Sequence, residues 1–153
     1  MSFLLSNSGQ ACIRDSRPYE EILAENVQGA SAIYVARLIS SNQEKLSADG
    51  QILVIKERSR FQIEQVIKGE DQTDMIEFSM LIDAEKTKCS GGAISAVNIP
   101  PWKEMPPNSK MLSIVWILYI DREFPNELRF PSRPIDEENL KDEVKLIRHF
   151  TKL

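Results

Sequence analysis

The stretch from Met111 to Ile120 is apolar except for Ser113, and a segment of that kind must be surrounded by protein on every side. At about half the length a membrane helix needs, it is too short to cross a bilayer, so it reads as a strand at the centre of a core. The other strands fit around it. Ala32 to Ser40 is β-rich and apolar at both parities, as expected of a strand covered on two faces. Within Gln51 to Lys68, Phe61, Ile63 and Ile67 share one face and Arg60, Gln62 and Glu64 the other, the period of a half-buried strand. Met75 to Ile82 alternates in the same way, and Leu128 to Phe130 reads as a short strand after the Pro125-Asn126 turn. Ser41 to Ala48 is polar and reads as a connection leading to the Asp49-Gly50 turn.

Two helices flank these strands. Tyr19, Ile22, Leu23 and Val27 recur at helical spacing, with Ser16 as cap and a stop near Gly29. Asp136 caps a second helix whose stripe is Leu140, Val144 and Ile147, with Glu137 and Glu138 at its positive end and Lys145, Arg148 and Lys152 towards its negative end. Strands that follow one another without intervening helices point to a small barrel rather than a parallel sheet. With 153 residues, 42% hydrophobic and 27% charged, the chain has the size and apolar content of one domain, spanning residues 12–153. Residues 1–11 read as a signal-peptide remnant or a disordered start: Phe3, Leu4 and Leu5 are apolar, but a basic n-region is missing.

Composition also narrows the chemistry. A net charge of −4 disfavours nucleic acid as the main partner. Lys56, Arg58 and Arg60 beside Phe61 are the one local match to a base-stacking strand, and Glu57 and Glu64 sit among them, so a solvated strand face is the expected meaning. Two cysteines and one histidine are too few for a structural zinc site, and no cofactor motif is present. The cysteine count allows either one disulfide or two free thiols. Catalytic signals are equally thin. His149 stands alone in a basic helical turn, Asp83 and Glu85 lie near a loop, and Asp136, Glu137 and Glu138 are explained by a helix start. The expectation is a non-enzyme.

Four segments in order carry a likeness: Ala32 to Leu38, Arg60 to Gly69 ending in Lys68-Gly69, Cys89-Ser90-Gly91-Gly92, and Leu112 to Leu118. Together they resemble the netrin-like, tissue-inhibitor-of-metalloproteinases-like domains, including secreted bacterial members, from Cys12 to about Leu140. The resemblance implies a five-stranded OB-type barrel with N-terminal and C-terminal helices, a Cys12–Cys89 bridge and a secreted, periplasmic or surface-associated location. A bridge of that span would stabilise the fold by about 4 kcal/mol at most. The chain departs from the pattern in two places: Cys12 is followed by Ile13 and Arg14 instead of a Cys-x-Cys start, and Ser90 separates Cys89 from Gly91.

In the inhibitors of that family the amine and carbonyl of an N-terminal cysteine chelate the protease zinc. Cleavage after Ala11 would place Cys12 in that role and Ile13 at the specificity pocket; the plain alternative is that Cys12 only staples the N-terminal segment. Trp102, between Pro100-Pro101 and Pro106-Pro107, is either a partner contact or an inward plug of the barrel. The expected function is a non-catalytic extracytoplasmic module for an unidentified protein partner, possessing no transmembrane segment. Its alternative is a cytosolic barrel with free thiols and an intracellular partner.

Overall fold

The computed structural model describes residues 16–46, 54–70, 74–83, 93–96 and 114–152. Cys12, Ile13, Cys89 and Trp102 lie outside them, as do residues 1–11.

Helix α1 (Tyr19–Gly29) forms where the periodicity places it and buries Leu23 and Val27. Its start differs from the expected one. Pro18 occupies the cap position with no side-chain bond, and its carbonyl accepts from the N–H groups of Glu21 and Ile22 at 3.0 and 3.2 Å. Proline preset to an extended backbone needs no Ser16 hydroxyl to begin the turn. Next come the long antiparallel strands β1 (Ala32–Lys45) and β2 (Val54–Lys68). Ser41 to Lys45, expected as a polar connection, instead continues β1 and pairs with Ile55 to Ser59. The ladder bonds are made by backbone, so polar side chains do not end it, and Gln43 faces Glu57 across the pair. Shifts in register at Ile33/Tyr34, Val35/Ala36 and Leu38/Ser40 bend the pair, as extra residues in one strand do.

Strand β3 (Met75–Asp83) pairs with β2, turning Phe78, Met80 and Ile82 inward. Strand β4 (Val115–Ile120) pairs with the first half of β1, and β5 (Arg133–Pro134) adds to its far edge. The result is one antiparallel sheet in the order β3-β2-β1-β4-β5, an open ladder among the described residues. Leu128 to Phe130, expected as a strand, contributes only the bridge Arg129 to Ala93. That stretch nonetheless lies against β3: the N–H of Ser79 donates to the Asn126 carbonyl at 3.0 Å, and the N–H of Leu128 to the Met80 sulfur at 3.1 Å. Helix α2 (Glu137–Thr151) closes the chain, with Asp136 at its cap position but no side-chain cap bond, and with Val144, Ile147 and Phe150 buried.

Every residue of β4 is buried, so the sheet separates two cores. Trp116, Leu118 and Ile120 face the curled interior with Leu38, Phe61 and Phe78. The Phe61 ring stands edge-on to Phe78 and Trp116 with centroids 5.7 and 5.6 Å away, a favoured aromatic arrangement. Val115, Ile117 and Tyr119 face the helices, against Leu23, Val27, Val144 and Ile147.

The Lys68-Gly69 pair joins the layers. Lys68 Nζ donates to the carbonyls of Val27 at 2.8 Å and Gln28 at 3.3 Å, binding the otherwise unpaired carbonyl end of α1. Gly69 has φ of 98°, and a Cβ there would lie 2.7 Å from the Ala32 Cβ. Gly69→Ala is therefore expected to lower stability by about 2 kcal/mol, from left-handed strain and the clash together. Urea denaturation checks this, and an unchanged midpoint would contradict the assigned turn.

Candidate functional site

Cys12, Ile13, Cys89 and Trp102 lie outside the described residues, and the candidates among the described residues are not brought together. Among the described ones, His149 is exposed and stands edge-on to Phe150 at 5.2 Å. Glu137 is bound by Arg37 at 2.9 Å, and the same guanidinium holds Glu64 at 2.6 Å, so this part of the acidic run ties α2 to the sheet. Arg58 and Arg60 share Glu77 on the outer face of β2, at 3.2 and 3.7 Å. Phe61 points the other way, wholly into the core, so the basic stretch and its aromatic do not share a surface. Among the described residues no group of His, Cys, Asp and Glu could hold a metal ion, and no helix is long and apolar enough to cross a membrane.

What the fold does assemble is a groove of about 630 Å³ between β5 and the first half of α2. Its position follows from β4. Arg133 pairs with Ile117, and the N–H of Ile135 donates to the Val115 carbonyl at 2.9 Å, which carries the chain across the sheet edge before Asp136 starts the helix. The floor is apolar, made of half-buried Ile114, Ile135 and Leu146, with exposed Pro134 beside them. The rim is polar: Asp136, Asn139, Asp142 and Glu143 come from successive turns of α2, where three- and four-residue steps fall on one stripe.

One end of the groove is locked. Arg133 Nη2 donates to Glu143 Oε2 at 2.6 Å and to the Tyr19 hydroxyl at 3.3 Å, while the Tyr19 hydroxyl also bonds to Glu143. Three elements, α1, β5 and α2, meet in this cluster. Burial, with the Glu143 carboxylate beside it, pushes the Tyr19 hydroxyl above its ordinary pKa, so it remains a neutral donor. Arg133 and Glu143 thus satisfy each other. Asp136 and Asp142 are different, having no ion-pair partner among the described residues, and they leave the rim net negative.

A second polar feature was missed by sequence reading. Glu57 is wholly buried in the curled interior. Its Oε1 accepts from Gln43 Nε2 at 2.7 Å and Ser95 Oγ at 2.6 Å, and its Oε2 from the Ala96 N–H at 2.7 Å. These bonds fasten residues 93–96 to the hairpin of β1 and β2. Extending the strand alternation back from Phe61 through Ser59 would have placed Glu57 on the inner face; its charge and its basic neighbours suggested the outer one. Burial pushes the carboxyl above the usual carboxylate range, more strongly than the hydrogen bonds from Ala96, Ser95 and Gln43 pull it down.

Two outcomes follow for Glu57. Glu57→Ala takes the acceptor from the buried Ala96 N–H and from the half-buried Gln43 and Ser95 donors, and is expected to cost about 2 kcal/mol or more in urea denaturation. The pH dependence has a definite sign. A carboxyl whose pKa is raised on folding binds its proton more tightly in the folded state, so its contribution is full below the unfolded pKa and is lost as pH rises through the folded value. Glu57→Gln does not titrate, so the stability of the unmodified chain relative to this variant is expected to fall as the pH rises above the ordinary glutamate range. A constant or rising difference would contradict the raised pKa.

Compared with protein-family models, curated proteins and solved structures, the chain matches none.

Proposed function

We propose that this chain is a non-catalytic protein-binding module, working outside the cytoplasm, with an OB-type barrel of the netrin-like, tissue-inhibitor-of-metalloproteinases-like kind. The observation that carries the binding role is the β5–α2 groove: an open concavity with an apolar floor, a polar rim and free carboxylates, which is the make-up of a docking site. Support for the barrel comes from strand order. Opening an OB barrel between its third and fifth strands gives β3-β2-β1-β4-β5, the order found here, and the Ser79–Asn126 and Leu128–Met80 bonds lie at that seam. Lys68-Gly69, part of the family likeness, joins α1 to the sheet in a way that depends on both residues.

The remaining parts of the proposal concern residues outside the described ones. Cys12 and Cys89 form the single staple, Trp102 is a second contact, and Cys12 with Ile13 supplies an inhibitor-like edge once the N-terminus is processed. Intact mass under oxidising and reducing conditions tests the staple: a hydrogen gained on each sulfur supports it. An unchanged mass would place two free thiols in the chain and favour an intracellular partner.

The groove is tested in cells by a photo-cross-linking side chain at Asn139, on the rim, with Glu44 on exposed β1 as control. A discrete protein adduct from position 139 and none from position 44 is expected. The absence of an adduct at 139, or equal adducts at both, would overturn the assignment of the groove.

A further inference from the structure

Resting on that reading of the groove, we propose that its occupant is a basic peptide segment, with an aliphatic side chain seated on the floor and Lys or Arg side chains reaching Asp142 and Asp136. Charge complementarity selects this partner. The lining holds Asp136, Asp142 and Glu143 against Arg133 alone, and Arg133 is already committed to Glu143 and Tyr19. An incoming cation therefore meets Asp136 and Asp142, which have no ion pair among the described residues, while an acidic segment meets the same carboxylates and is repelled. Lys141 and Lys145 stand on α2 but outside the lining.

The two free carboxylates are not equivalent. Asp136 sits at the N-terminal end of α2, where the positive end of the helix offsets part of its charge. Asp142 lies beyond the first turn, so its field is less compensated and it is the stronger contact. The floor adds a different demand. Ile114, Pro134, Ile135 and Leu146 give a cation nothing, and an aliphatic group between the basic residues covers them and removes apolar surface from water. Both requirements are met by a short segment in which Leu or Ile is flanked by Lys or Arg.

The test uses the full chain and ten-residue rhodamine-labelled peptides read by fluorescence anisotropy. One peptide carries Leu flanked by Lys and Arg; a second replaces the basic residues with Glu; a third replaces Leu with Gly. Only the first is expected to bind well, and more weakly as salt rises. Asp142→Lys is expected to weaken it at least about fivefold, and Asp136→Lys less, since an exposed pair is worth up to ~1 kcal/mol and reversal adds repulsion. Circular dichroism checks that both variants fold, and Asp142→Asn, with an intermediate loss, serves as the milder variant. The inference is overturned if the basic peptide does not bind, if the acidic one binds equally, or if Asp142→Lys changes nothing. A concentration-dependent dimer abolished by Asp142→Lys would overturn it in favour of a second copy of the chain. If the peptides fail while the Asn139 adduct persists, the docking site stands with a partner of other chemistry; if both fail, the docking reading falls too.

Discussion

The double-sided burial of β4 is the constraint on which the other elements depend. Alternate side chains of a strand point to opposite faces, so a strand with all of Val115 to Ile120 buried requires cover on both. One cover is the sheet itself, curled by the register shifts of β1 and β2 until Phe61 and Phe78 reach Trp116 and Leu118. The other is the pair of helices, whose stripes meet Val115, Ile117 and Tyr119. Among the described residues both helices bury their apolar faces on this side of the sheet, against it and against each other. The groove is a by-product of the same requirement: the chain leaves the edge of β4 through β5 and must turn back over the sheet as α2, and the angle between those elements leaves its floor open.

Much of this was legible in the residues. The stripes of α1 and α2 and the two-sided character of β1 and β4 are patterns of apolar spacing, and such a pattern reports directly which faces are buried. Three things were not legible, for physical reasons. Ser41 to Lys45 continues β1 because the pairing bonds belong to the backbone, and Gln43 finds Glu57 across the ladder. Leu128 to Phe130 carries strand-like residues, yet Pro125 and Pro131 lie close on either side and a long ladder cannot pass through them. The groove joins Ile114, just before β4, to Leu146 on α2, residues far apart in the chain that only packing brings together.

Glu57 shows how a buried charge can go unnoticed and still organise a core. Glu57 pairs with Met80 on the face of the sheet that also buries Phe61, Phe78 and Ile82, a setting that would normally exclude it. Donors from Gln43, Ser95 and Ala96 compensate, and in doing so they bring a segment with little regular structure into contact with the hairpin. Here a polar residue fixes a location that apolar packing alone would leave loose. The lock of Tyr19, Arg133 and Glu143 does similar service on the helical side, setting the separation of α1, β5 and α2.

The central claim is that β4 belongs to both cores at once, so that helices, curled sheet and groove form one cooperative unit. Native-state hydrogen exchange measures this most directly. The amides of Ile117, Leu118 and Tyr119 should exchange only through global unfolding, with the same free energy and denaturant dependence as amides in the middle of β1. If they exchanged through a smaller opening that released α1 and α2 while β2 and β3 stayed protected, the helical layer would be an independent unit, and the account of how the groove is held in place would be wrong.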